Sequence, residues 1–295
     1  MRRILACLIV LGVSIWFPSA CKRSPAKKIV IGSKFFTEQV VLAELLAQHI
    51  EARTGISVAR KTNLGGTLLI HKAMLAGDLD LYVEYTGTAL TAVLGETPEG
   101  NSQATYQRVK EQYAQRFGLE VTEPLGFENT FAMVVRGDDA ERLHLKNMSD
   151  IAAIAPKWRV AVGYEFLERP DGFKGWSGAY GLKFAETPRV MDLGLLYRAL
   201  TQHQADIVAG NSTDGLIETL RLVPLNDDKH YFPPYDAVPV VRRATLEKFP
   251  ELRAALAELG GRISAEEIRR MNAAVDADQR DVKDVVREFR AAKGL

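Results

Sequence analysis

Histidines, acids, glycine turns and hydroxyls are the residues that could carry catalysis in this 295-residue chain. Their spacing supports none of the usual arrangements. His49, His71, His144, His203 and His230 stand far apart, with no pair at a metal-ligating interval, so each reads as a surface or helix-face residue. No G-x-S-x-G elbow occurs, and the turn Leu64-Gly65-Gly66-Thr67 lacks the lysine that a phosphate-cradling loop requires. Residues 210–215 (GNSTDG) do not make a dinucleotide fingerprint, and the neighbouring acids Asp227 and Asp228 read as solvated loop residues. A cleft enzyme would have to use Asp80, Glu84 and Asp214, with no nucleophile pattern beside them. What recurs instead is a mixture of rings, cations and threonines on short segments: 32–39 (GSKFFTEQ), 64–67 (LGGT), 80–88 (DLYVEYTGT), 127–136 (FENTFAMVVR), 165–173 (EFLERPDGF), 211–215 (NSTDG) and 232–241 (FPPYDAVPVV).

Composition narrows the class. The chain is 47% hydrophobic and 25% charged, which is ordinary for a globular protein and excludes a disordered or fibrous one. Lys and Arg number 38 against 37 Asp and Glu, with no basic block, so the positive footprint of a nucleic-acid binder is missing. Cys7 and Cys21 are the only cysteines, and a disulfide framework within the body of the chain is therefore excluded. Residues 1–20 read as a secretory signal peptide: Arg2 and Arg3, an apolar run over 4–17, then Pro18, Ser19 and Ala20. Small residues ahead of Cys21 also resemble a lipoprotein signal, in which the cysteine is acylated, although Pro18 stands where that motif carries an aliphatic residue. The apolar run is short for a membrane anchor, which needs about 20 residues. No later segment is long and apolar enough to span a bilayer. The expected product is a water-soluble body outside the cytoplasm, periplasmic or on the outer face of the cell membrane, with residues 21–27 as a tether.

Strand and helix signals then alternate. Residues 28–33 (KIVIGS) read as a buried strand, and Thr37 is placed to cap a helix that runs to Thr54 and stops at Gly55. A strand over 56–62, a helix from Thr67 to Gly77 and a strand over 80–85 complete a β-α-β-α-β order, which predicts a parallel sheet covered by helices. Further strands are expected over 131–136, 159–163, 206–209, 222–225 and 237–241, the last carrying Pro239 and so placed at an edge or a crossover. Residues 193–204 and everything beyond Ala244 read as helical, and Ser264 with Glu267 fits a capping box. The stretch 73–88 can be laid on 199–214, so that Asp80 falls on Asp206 and Tyr85 on Asn211. Chance similarity of two helix–turn–strand units and a true repeat explain this equally well; both imply two α/β lobes of like construction.

Taken in order from residue 28 to the C-terminus, the ring- and cation-bearing segments resemble the substrate-binding protein of ABC transporters for glycine betaine, choline and related quaternary ammonium compounds. The resemblance implies an α/β, type II periplasmic-binding-protein fold. Two α/β lobes would be joined by two crossing segments, with the ligand cleft between them. Lobe one would comprise 28–130 and 235–295, and lobe two 131–234.

The physics of such a ligand is independent of the resemblance. A trimethylammonium group carries charge but no N–H, so it is held by the negative faces of aromatic rings, each contributing roughly 0.5–2 kcal/mol. A carboxylate at the other end needs charge-assisted donors. Carried over by motif, the ring positions fall on Tyr85, Phe131, Asn211 and Tyr235; relatives commonly carry Tyr where this chain has Asn211, and Trp176 is a ring that would compensate. The carboxylate positions fall on Lys34, Thr88 and Arg169, and Gln39 also lines the site in some relatives. Singly, Tyr85 and Phe131 read as core, Lys34 and Arg169 as surface charges, Asp171 as an ion-pair partner of Arg169, and Thr88 as a helix cap. Their joint occurrence in order carries the functional expectation: a monomeric receptor, not an enzyme, needing no cofactor or metal, that hands a carboxylated quaternary amine to a membrane permease. A choline receptor, a receptor for carnitine- or ergothioneine-type ligands and a sensory binding protein are the alternatives.

Overall fold

The computed structural model describes residues 28–98 and 101–295. The leader, the tether and Cys21 lie outside the described residues. The remaining chain builds two five-stranded sheets. The first contains β1 (Lys28–Gly32), β2 (Ser57–Lys61), β3 (Leu81–Tyr85), β4 (Leu119–Val121) and β10 (Ala237–Arg242), in the order β2-β1-β3-β10-β4. The second contains β5 (Phe131–Arg136), β6 (Val160–Val162), β7 (Arg189–Val190), β8 (Ile207–Asn211) and β9 (Leu222–Pro224), in the order β7-β6-β8-β5-β9. Both orders follow one plan, and each sheet carries apolar clusters on both faces, as two helix-covered α/β lobes require.

The sheets are mixed rather than wholly parallel, which corrects the expectation from the β-α-β-α-β order. β1, β2 and β3 are parallel, but β10 runs antiparallel to β3 and β4, as β5 does to β8 and β9. The reason is topological. β5 and β10 are the strands by which the chain enters the second lobe and returns to the first, and neither is preceded by a crossover helix that would force parallel pairing. Pro239 consequently sits in an interior strand rather than at an edge. Pairing with β4 begins at Val240, so the missing N–H of Pro239 falls beyond the end of that ladder, while its carbonyl accepts from Thr122 N at 3.0 Å.

Equivalent strands carry equivalent fastenings. Asp80 takes Val30 N on its carboxylate at 2.8 Å and donates its own N–H to Val30 O at 2.8 Å. Asp206 does the same with Arg159, at 2.9 and 2.8 Å. β3 and β8 hold the same place in their sheets, so the internal similarity corresponds to one repeated unit of structure. Tyr85 and Asn211 end those two strands, opposite Ala237 and Phe131 in register.

Helix Thr37–Thr54 packs against the first sheet with Val41, Leu45 and Ile50 buried, and closes at Gly55 with φ of 67°. Thr37 is its first helical residue rather than its cap, because the hydroxyl donates to Asp276 Oδ1 at 2.6 Å. Helix Ala265–Asp276 begins with the expected capping box of Ser264 and Glu267. The two crossing segments pair with each other: Asn129 N donates to Tyr235 O and Ala237 N to Phe127 O, each at 3.0 Å. Among the described residues no helix is long and apolar enough to cross a membrane.

Candidate functional site

The ends of β3 and β8 and the starts of β5 and β10 meet where the crossing segments run, and the rings converge there. Phe131 meets Tyr235 edge-on with centroids 6.0 Å apart, and Phe166 at 4.7 Å. Tyr85 stacks on Phe36 at 6.3 Å. Tyr235 follows two prolines, and the turn after Tyr85 lies hard against it: a Cβ on Gly87 would stand 2.7 Å from the Tyr235 ring and from Pro234 O. Lys34, Tyr85, Thr88, Phe131, Arg169, Asn211 and Tyr235 line one cleft, of about 570 Å³ including its open mouth. A larger groove on the crossing-segment side, lined by Glu128, Thr130 and Pro233 among others, is broad and open and carries no Lys or Arg among the described residues.

Gln39 does not line the cleft. It donates from behind to the Tyr85 hydroxyl at 3.1 Å. Trp176 does not reach the site either. It is fully buried in the second lobe among Phe166, Phe173 and Phe184, so it cannot stand in for the ring absent at Asn211. Phe35, Phe36, Asn129, Gly163, Tyr164, Glu165, Phe166, Leu193 and Ala209 complete the lining and were not singled out by sequence. Phe36 and Phe166 lie inside the quoted motifs, and only the tertiary fold separates them from core phenylalanines.

Both cations of the site are paired, Lys34 buried and Arg169 partly buried. Lys34, 2% exposed, forms an ion pair with Glu84, which is wholly buried, and its ammonium lies 5.2 Å from the Tyr85 ring centroid. Arg169 makes a two-pronged pair with Asp171 and donates to Thr88 Oγ1 at 2.9 Å. Its guanidinium lies 4.9 Å from the Phe131 centroid and 5.9 Å from that of Tyr235. Asp171 also accepts from Tyr235 Oη at 2.6 Å and Thr91 Oγ1 at 3.0 Å. Burial acts to raise the Asp171 carboxyl, but hydrogen bonds and charge from Arg169 outweigh it and hold the group below the usual range. Burial pushes the Tyr85 and Tyr235 hydroxyls well up, which keeps both phenols neutral. The pairing is incomplete. Arg169 has five N–H groups and Lys34 three; after these bonds, two on each have no protein acceptor among the described residues.

Asn211 points its amide at Asp214, with Nδ2 3.4 Å from each carboxylate oxygen, and Tyr197 Oη donates to the same carboxylate at 2.6 Å. The carboxylates a cleft enzyme would need are thus each occupied: Asp80 fastens strands, Glu84 pairs with Lys34, and Asp214 holds Tyr197 and Asn211. Asp227, expected to be solvated, instead accepts from Tyr231 N and Phe232 N at 2.9 Å and so shapes the segment leading to Tyr235. No metal-holding cluster of His, Cys, Asp and Glu occurs among the described residues.

Several bonds cross from one lobe to the other around the cleft. Besides Arg169 to Thr88 and Thr91 to Asp171, Thr67 N donates to Glu165 Oε1 at 2.7 Å, and Thr213 donates to Glu38. The lobes are therefore closed on each other.

Residues 27–292 match the family model described as the substrate binding domain of ABC-type glycine betaine transport systems. The chain is 36% identical over 288 residues to the carnitine transport binding protein of Listeria monocytogenes, covering 95% of this chain and 93% of that one. It is 33% identical over 270 residues to an ergothioneine transport permease/ergothioneine binding protein of Helicobacter pylori, covering 91% of this chain and 48% of that longer one. A crystal structure described as a glycine betaine/carnitine/choline ABC transporter superposes with a TM-score of 0.75 at 32% identity, covering 90% of this chain and 98% of that one.

Proposed function

Because the chain belongs to the substrate-binding family of ABC-type glycine betaine transport systems, we propose that it captures a carboxylated quaternary ammonium compound outside the cytoplasm and delivers it, as a monomer and chemically unchanged, to a membrane permease. One observation carries this reading: Tyr85, Phe131 and Tyr235 share a closed cleft with Lys34, Arg169 and Thr88, and the two cations retain unused donors. Rings suit a trimethylammonium group, and the unused N–H groups suit a carboxylate. Each ion pair neutralises its own cation while leaving N–H groups unused, which fits a ligand that brings its own carboxylate. Choline would leave the donors of Lys34 and Arg169 without an acceptor, a cost that disfavours it against a betaine.

A larger ligand of the carnitine or ergothioneine type is the second reading, favoured by the wall at Asn211. Phe35, Phe36, Leu193 and Asn211 line both the cleft and an adjoining groove, so the small side chain leaves the two spaces side by side. Leader residues 1–20 and Cys21 support export and lipid attachment at the outer face of the membrane. Titration calorimetry with glycine betaine, carnitine, ergothioneine and choline tests the proposal. A carboxylated member is expected to bind at least about tenfold more tightly than choline, a difference of about 1.4 kcal/mol. Tightest binding of choline would overturn the assignment of Lys34 and Arg169, and no binding by any of the four would overturn the ligand class.

A further inference from the structure

Behind the Tyr85 ring, outside the lining of the cleft, lies Glu38, 1% exposed and in the first turn of helix Thr37–Thr54. Its carboxylate is met by donors from four separate parts of the chain. Tyr85 Oη donates to Oε1 at 2.5 Å, and Asn129 Nδ2, on the outgoing crossing segment, donates to the same oxygen at 2.9 Å. Asn272 Nδ2, on helix Ala265–Asp276, donates to Oε2 at 3.2 Å. The fourth donor is the hydroxyl of Thr213, two residues past the end of β8 and so from the other lobe. Asn272 Nδ2 also lies 3.0 Å from the Thr213 carbonyl, which fixes that residue beside the carboxylate.

We propose that Glu38 is a positioning residue that ties the seating of the Tyr85 ring to closure of the lobes, with Thr213 as the contact made on closing. A carboxylate this deeply buried is stable only when its oxygens are supplied with donors, and each missing donor to a charged group costs more than a neutral hydrogen bond returns. Three donors belong to the first lobe or the crossing segment. The fourth arrives only when the second lobe swings in. Closure therefore completes the donor set on the carboxylate that holds the Tyr85 hydroxyl, and the ring is clamped as the cleft shuts. Burial acts to raise the Glu38 carboxyl and the donors act to lower it, with burial the larger. The group is correspondingly sensitive to loss of any one donor. The effect on ligand affinity rests on the function proposed above; the bond between the lobes does not.

The test is a double-mutant cycle of Glu38→Gln and Thr213→Val, read both as affinity for glycine betaine and as the unfolding equilibrium of ligand-free protein. Thr213→Val keeps the shape and removes the hydroxyl, and is expected to weaken glycine betaine binding about tenfold. Thr213→Ser, which restores the donor, is expected to bind within about twofold of the parent. Glu38→Gln puts an amide N–H₂ toward Asn272 and Thr213, and once it is present Thr213→Val should cost little more. A purely structural role would lower the unfolding midpoint of each variant and leave the affinity of the folded protein unchanged, and that result would overturn the proposal. So would single effects that multiply in the double variant. If the parent protein does not bind glycine betaine, that ligand assignment falls, and the unfolding cycle decides the inference alone: non-additive effects uphold the Glu38–Thr213 link and additive effects refute it.

Discussion

At position 211 the wall of the cleft carries an amide rather than a ring. Asn211 stands where its structural counterpart in the other lobe, Tyr85, supplies a ring, and its amide is turned toward Asp214 rather than toward a neighbouring aromatic. Asn211→Tyr adds a face to the cage and closes the wall toward the adjoining groove. It should strengthen glycine betaine binding by roughly 0.5–2 kcal/mol, the worth of one ring to a cation, and weaken binding of a longer trimethylated amino acid. Calorimetry with the two ligands checks both signs; unchanged affinity for glycine betaine would show that position 211 does not face the ammonium group. The residue scale is also where the sequence was least explicit. That rings and cations share a site was legible from motif order. That each cation already holds a carboxylate was not, because Lys34 and Glu84 lie 50 positions apart and only the pairing of β1 with β3 brings them together. The same holds for Glu38, whose partners extend to Asn272.

Most elements were legible because their signals are local. Gly55 and Gly77 end helices, the capping box of Ser264 opens one, and alternating apolar runs mark the strands. The direction of β5 and β10 was not legible, since a strand carries no local mark of the neighbour it will pair with. The turn Leu64-Gly65-Gly66-Thr67, which lacks a phosphate-binding lysine, has a use that the elements reveal. It presents the N-terminus of helix Thr67–Ala76 to Glu165 of the opposite lobe, an arrangement the helix dipole favours. A Cβ on Gly66 would stand 2.7 Å from Glu165 Oε1. Gly66→Ala should therefore push the Glu165 carboxylate aside and weaken its bond to Thr67 N across the lobes, while leaving each lobe intact. Ligand affinity is expected to fall about 3- to 30-fold, with the thermal midpoint of ligand-free protein within about 3 °C of the parent. A large drop in midpoint with unchanged affinity would place the role of Gly66 within its own lobe instead.

Across the whole molecule, stability and acidity are linked through aspartates, one buried and one partly buried, that arginines hold in the charged form. For both Asp171 and Asp206 burial acts to raise the carboxyl, and hydrogen bonds from Arg169 in one case and Arg159 and Arg136 in the other bring it below the usual range. A carboxyl lowered by folding stabilises the fold above its unfolded value, near 3.8, and that contribution is lost as pH falls through the lowered value. Glu38 and Asp214, raised by burial, carry the opposite sign and weaken the fold as pH rises through their raised values. Asp206→Asn should lower the midpoint by about 2–6 °C at pH 7, and the gap to the parent should narrow below pH 4. Melting followed by circular dichroism from pH 7 to 3 would contradict this if the gap stayed constant.

The central claim is that a quaternary ammonium group sits between the two lobes against Tyr85, Phe131 and Tyr235. A crystal structure of the protein with glycine betaine tests it most directly. The nitrogen is expected within about 6 Å of those three ring centroids and the carboxylate in hydrogen-bond reach of Lys34, Arg169 or Thr88. Density for the ligand in the groove beside the crossing segments, or rings turned away from an ammonium group bound elsewhere, would contradict it.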